Sequence, residues 1–109
     1  ACVECAQACI ACADACLAET MVADLVRCIT SDLNCADICE STGRVLTRQA
    51  GADRAMIFRM LQSCAAACKA CGDECETHSQ VHAHCRLCAA ACRRCEQACL
   101  DLLEALPIG

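Results

Sequence analysis

Cysteine recurs along this chain at alternating spacings of three and four, and that rhythm leaves essentially one architecture open. The first run is Cys2, Cys5, Cys9, Cys12 and Cys16, and the last is Cys85, Cys88, Cys92, Cys95 and Cys99. Between them stand Cys64, Cys68, Cys71 and Cys75 and a sparser set, Cys28, Cys35 and Cys39. Spacings of three and four place residues on one stripe of an α-helix, the stripe that packs against other helices. Thiols occupy it where Leu or Ile would ordinarily form the core. The pattern predicts an all-α fold whose interior is a bank of sulfur ligands.

Four helices account for nearly the whole chain. The first is predicted over about 1–17, the second from a cap near Glu19 and Thr20 to about 49, the third over about 52–78 and the fourth over about 80–106. Gly51 with Asp53 marks a break and a new start, while Pro107 and Gly109 stop the last helix. Short connections force antiparallel neighbours, so an up-down-up-down four-helix bundle over residues 1–109, one domain, is expected. Gly43 and Gly72 fall inside helices, where they allow close packing. The charged residues agree with the phasing: Arg86, Arg93, Arg94 and Glu96 lie off the seam of the fourth helix, and Glu4 and Asp14 off that of the first.

The inner helices, about 27 residues or ~40 Å long, outrun the first. The first helix is therefore expected to begin upstream or to leave part of its neighbours to another subunit. The two ends of the bundle also differ. Val45, Leu46, Met56, Ile57, Met60, Leu61, Leu103 and Leu106 make an apolar plug at the second-to-third connection. Cys16, Met21, Cys75, His78, His82 and Cys85 make a mouth of soft and borderline ligands at the other.

Composition removes several function classes. A net charge of −5 leaves no basic stripe for nucleic acid. No run of apolar residues is long enough to span a membrane. Without Trp or Tyr, and with Phe58 alone, there is no aromatic platform for bases or sugars. Dense cysteine in a short chain suggests a disulfide scaffold. Against that, the count of 17 is odd, Gly and Pro are scarce, and i,i+3 and i,i+4 neighbours on one helix meet disulfide geometry poorly. Reduced or metal-held thiols are the better reading.

Charge ranks the candidate ions. A core of 17 thiolates carries as many negative charges. Four Zn²⁺ in Cys₄ sites would leave about nine of them uncompensated, at several kcal/mol each in a dry interior. One Cu(I) per thiolate brings the interior near neutrality, and soft thiolates favour that ion. Five CxxC and seven CxxxC pairs can each hold or share an ion. A lone buried Cys is often only a small hydrophobe, but that reading does not explain a ladder on every helix. Protonated thiols are neutral, so the empty bundle can fold first and copper then displaces protons.

The metal ligands expected are therefore all seventeen cysteines, with His78, His82 and Met21 added at the mouth. His84, off the stripe, is read as a surface histidine, and Met56 and Met60 as core. Asp32 stands in the stripe between Cys28 and Cys35; a partner for Arg or a solvent-facing position is favoured over a place beside metal.

Three stretches, Asn34 to Glu40, Cys71 to His78 and His84 to Cys99, resemble the copper storage protein family of bacterial four-helix bundles. The likeness covers essentially the whole chain. It implies storage of many Cu(I) ions per bundle for copper storage and detoxification, association into homotetramers and entry at an end bearing His or Met. A copper chaperone or copper-dependent enzyme would serve as donor or recipient. The family has cytosolic and exported members; the cysteine count and the lack of a visible signal resemble the cytosolic type. The chain begins at Ala1 without Met, which leaves room for a removed upstream segment and for export.

The alternative within metal binding is a zinc or cadmium buffer resembling metallothionein. An iron–sulfur carrier lacks its ferredoxin-type cysteine run, and a CxxC oxidoreductase would need a βαβ setting. No catalytic constellation is present, and an enzyme is not expected.

Overall fold

The computed structural model describes residues 1–106. Its elements are α1 (Cys2–Leu17), a 3₁₀ turn (Val22–Leu25), α2 (Val26–Thr47), α3 (Arg54–Glu76) and α4 (Ala83–Ala105). Each helix packs on the next, and α4 returns to α1, closing a ring of four. The resulting bundle is slender, 49 × 19 × 17 Å. Its thinness follows from the side chains inside. Besides the cysteines, the buried positions are filled mostly by Ala6, Ala13, Ala36, Ala65, Ala89 and Ala91.

The helix boundaries differ from expectation in three places, each with a local cause. The second helix does not start at a Glu19–Thr20 cap. A 3₁₀ turn intervenes and drives Leu25, 1% exposed, under the end of the bundle before α2 begins. The third helix ends at Glu76, because the Thr77 hydroxyl donates to the Glu74 carbonyl and the Ser79 hydroxyl to the Glu76 carbonyl. Local hydroxyl bonds of this kind satisfy last-turn carbonyls and compete with helix continuation. The fourth starts at Ala83, with His82 extended as its N-cap (φ −123°, ψ 116°). The expected start of α3 holds: the Asp53 carboxylate accepts from the Met56 N–H at 3.1 Å. The stop at Pro107 and Gly109 lies outside the described residues.

At 22 and 23 residues, α2 and α3 run roughly 33–35 Å against roughly 24 Å for the 16 residues of α1. The apolar plug forms largely as read. Ile57 and Leu61 are buried, and Val45, Leu46, Leu103 and Leu106 pack against them. Met56 does not join, being 44% exposed. It precedes Ile57 by one residue, so the helical phase turns it off the seam.

Between α3 and α4 the approach is set by Gly72. A Cβ there would lie 2.9 Å from Nη1 and 3.1 Å from Cζ of Arg93. The guanidinium lies across this gap, donating to Asp73 at 2.7 Å and Glu76 at 3.1 Å. In an Arg93→Ala background, Gly72→Ala should raise the unfolding free energy by about 1 kcal/mol, the helix-propensity gain. With Arg93 present the gain should fall by at least ~0.5 kcal/mol, because the guanidinium must move. Denaturant unfolding of the four reduced proteins measures this coupling, and additivity would contradict the packing.

Candidate metal centre

Sixteen of the seventeen cysteines are buried, and Cys2 is partly so; all seventeen are free thiols. The a/d phasing converges them on the bundle axis in overlapping sets whose ligand atoms lie within 4.8 Å of one another. From the plugged end upward these are Cys2, Cys64, Cys95 and Cys99; then Cys5, Cys39, Cys68 and Cys95; then Cys5, Cys9, Cys35 and Cys92; then Cys9, Cys71, Cys88 and Cys92. Cys28 and Cys75 face each other at 3.6 Å. The four sets share sulfurs in turn, through Cys95, Cys5, and Cys9 with Cys92, so that stretch of the column has no gap between one site and the next.

The spacing suits metal. Sulfur pairs such as Cys39–Cys64 at 3.6 Å, Cys9–Cys92 at 3.8 Å and Cys5–Cys68 at 3.9 Å are too far apart for a disulfide. A metal–sulfur bond of about 2.3 Å puts two sulfurs ~3.8 Å apart in tetrahedral and ~4.0 Å apart in trigonal coordination. The column thus stands at ligand separation before any ion arrives.

Burial decides the charge of the empty column. Desolvation, reinforced by the neighbouring Cys12, pushes the Cys16 thiol up to about 11. Desolvation also raises Cys85, with Cys12 and Cys16 adding to it. These two thiols keep their protons at physiological pH. A metal ion must displace their protons to bind.

Asp32 overturns the reading of its position. It neither pairs with an Arg nor faces solvent; it is 0% exposed in the middle of the sulfur. Its Oδ1 accepts from the thiols of Cys71 at 3.1 Å, Cys88 at 3.2 Å and Cys75 at 3.4 Å, and Oδ2 lies 3.9 Å from Cys28. Desolvation is the main cause that lifts its carboxyl to about 7, with the neighbouring Cys75 adding to it and thiol hydrogen bonds opposing it. The seam spacing of Cys28, Asp32, Cys35 and Cys39 does place residue 32 inside. Which group would meet it there depends on α3 and α4, which the spacing within α2 does not show.

His84 is the second correction. It is no free surface residue: its side chain is 23% exposed, and Nδ1 lies 3.5 Å from Cys85, 3.6 Å from Cys12 and 3.9 Å from Cys16. Cys12, Cys16, His84 and Cys85 form a further ligand set, the one nearest the mouth. Its signal was the i,i+4 relation to Cys88 inside α4, which the adjacency to Cys85 obscures. His78 and His82 were phased by extending the cysteine stripe beyond the helix ends. The structure gives them carboxylate partners instead: His78 Nε2 meets Glu74 at 3.0 Å and His82 Nδ1 meets Glu19 at 3.0 Å. Both stay at the mouth, as does Met21, which is 59% exposed.

Comparison with known proteins agrees with this geometry. The family described as "Copper storage protein" matches residues 1–104. A solved cytosolic copper storage protein from Streptomyces lividans, described as loading with five coppers, is 57% identical, with 96% of this chain and 88% of that one covered and a TM-score of 0.95. The copper storage protein Ccsp of the same organism, loaded with 10 copper equivalents, gives 57% identity, coverage of 96% and 80%, and the same TM-score. The uncharacterized cysteine-rich protein YhjQ of Bacillus subtilis is 37% identical over 102 residues, 94% of this chain and 89% of that protein.

The buried carboxylate has a measurable consequence. Unfolded, Asp32 ionises near its ordinary value of 3.8; folded, it holds its proton to about 7. Between those pH values the folded state binds more protons, so the metal-free bundle must lose stability as pH rises. The loss should be of order 2–4 kcal/mol between pH ~4.5 and ~7.5. Asp32→Asn should flatten that slope in denaturant unfolding of the reduced protein. An unchanged slope would mean the carboxyl is not buried.

Proposed function

The chain belongs to the copper storage protein family, and from that premise we propose that it stores Cu(I) along its axis, holding the ion in reserve and away from the rest of the cell. The observation that carries this is the column of buried free thiols already at metal–ligand separation. Soft thiolates match a soft ion, and one proton leaves for each single positive charge that enters, so the interior stays near neutral throughout filling. The seventeen cysteines and His84 are the proposed ligands. His78, His82 and Met21, at the same end as the His84 set, take part in entry.

The spacing alone would also accept Zn²⁺ or Cd²⁺, but a column filled by divalent ions in Cys₄ sites would keep a large negative charge in a dry core. The proposed role is binding rather than catalysis, in keeping with a family described by copper storage. We further propose that residues 1–109 act as one domain, that copies associate as homotetramers, and that the protein works in the cytoplasm, as its Streptomyces relative does. No helix is long and apolar enough to cross a membrane. A copper chaperone or copper-dependent enzyme is the proposed donor or recipient.

Titration of the reduced protein with Cu(I) against a competing chelator should saturate at ~15–20 ions per chain, with about one proton released per ion in weakly buffered solution. Replacing one CxxC pair with Ser should lower capacity by only a few ions. Saturation near four ions, or preferential retention of Zn²⁺ against Cu(I), would reject the reading.

A further inference from the structure

Resting on the storage reading, we infer that Glu19 is a positioning residue for the mouth: its carboxylate holds His84 in the Nε2–H form and so keeps Nδ1 open to an incoming Cu(I). Glu19 lies beyond the end of α1, its N–H bonded to the Cys16 carbonyl at 3.2 Å, across the mouth from the start of α4. One carboxylate oxygen, Oε2, sits 3.0 Å from His82 Nδ1, and the other, Oε1, sits 3.7 Å from His84 Nε2. The two rings stack, with centroids 5.1 Å apart and planes at 24°. One acid thus spans both histidines.

The inference follows from the two faces of the His84 ring. A neutral imidazole carries one N–H, and its other nitrogen is a lone pair available to metal. Nδ1 faces the sulfurs of Cys85, Cys12 and Cys16. To serve as a ligand it must be the bare nitrogen, which puts the proton on Nε2. Among the described residues Nε2 is buried and has no hydrogen-bond partner. Glu19 Oε1 is the anion beside it, and a shift of well under 1 Å completes an N–H···O bond at ordinary length. Without that acceptor, the Nε2–H would be a buried unsatisfied donor. The ring would then favour the opposite form, with Nδ1–H donating to sulfur and the lone pair turned away from the ligand set. A carboxylate behind a metal-binding imidazole fixes its tautomer in this way in other metal sites.

The test reads the tautomer directly. Long-range ¹H–¹⁵N correlation spectra of the reduced, metal-free, ¹⁵N-labelled protein would be recorded about two pH units above the ordinary histidine value of ~6.5, with His84 assigned by its loss in His84→Ala. The wild type should show the Nε2–H form. Glu19→Ala should move His84 to the Nδ1–H form, and the near-isosteric Glu19→Gln should give a mixture, keeping the test alive if the alanine variant fails to fold. His82→Ala should leave the tautomer unchanged. In parallel, uptake of the first Cu(I) equivalent from a chelator complex should slow about tenfold in the folded Glu19 variant, with total capacity retained. An Nδ1–H wild type, a tautomer indifferent to both Glu19 substitutions, or one lost in His82→Ala would overturn the inference. Loss of Cu(I) capacity in the wild type would instead sink the storage reading on which it rests.

Discussion

A thiol on a helix-packing stripe is a modest apolar group while it keeps its proton and an expensive anion once it loses it. The whole structure depends on that difference. For buried cysteines desolvation favours the proton-bearing form, as it does at Cys16 and Cys85, whose thiols it pushes up. Helix packing then brings them to 3.6–4.0 Å from one another without repulsion. The same packing makes the empty bundle a folded protein and a set of ligands waiting for charge compensation. Only the exchange of protons for metal ions separates the two.

The alanines are the counterpart of this arrangement. Large aliphatic side chains would spread the helices and separate the sulfurs, so the column is flanked by Ala6, Ala36, Ala65 and Ala89, and Gly72 admits Arg93 at the α3–α4 seam. The larger core residues are kept to the ends, Leu25 at one and Ile57 and Leu61 at the other. What is lost in apolar volume at the centre is recovered there.

How much of this was legible in the sequence divides along a physical line. Periodicity within a helix is a local property. The four helices, the inward-facing cysteines, the start at Asp53 and the plug at Ile57 and Leu61 could all be read from it. The differences fall where periodicity stops or where a second helix decides. The helices α3 and α4 end short of His78 and His82, because Thr77, Ser79 and the extended backbone of His82 break the helical path, while both histidines keep their place at the mouth. His84 is inside α4 by a single residue, and its ligand-like place depends on Cys12 and Cys16 arriving from α1. Asp32 was correctly phased and wrongly partnered, because the thiols around it come from α3 and α4 as well as its own helix. Spacing tells which way a side chain points; it does not tell what waits there.

The difference between the two ends of the bundle has a consequence for the order of traffic. Ile57 and Leu61 close one end, while the histidine-bearing end has ionisable and partly open side chains. For cargo that passes through the open end, the bore is a stack and not a queue. Ions that travel deepest are walled in by later arrivals, and those taken up last stand first in line to leave. A cell drawing on such a reserve would spend its newest deposits while its oldest stay at the bottom.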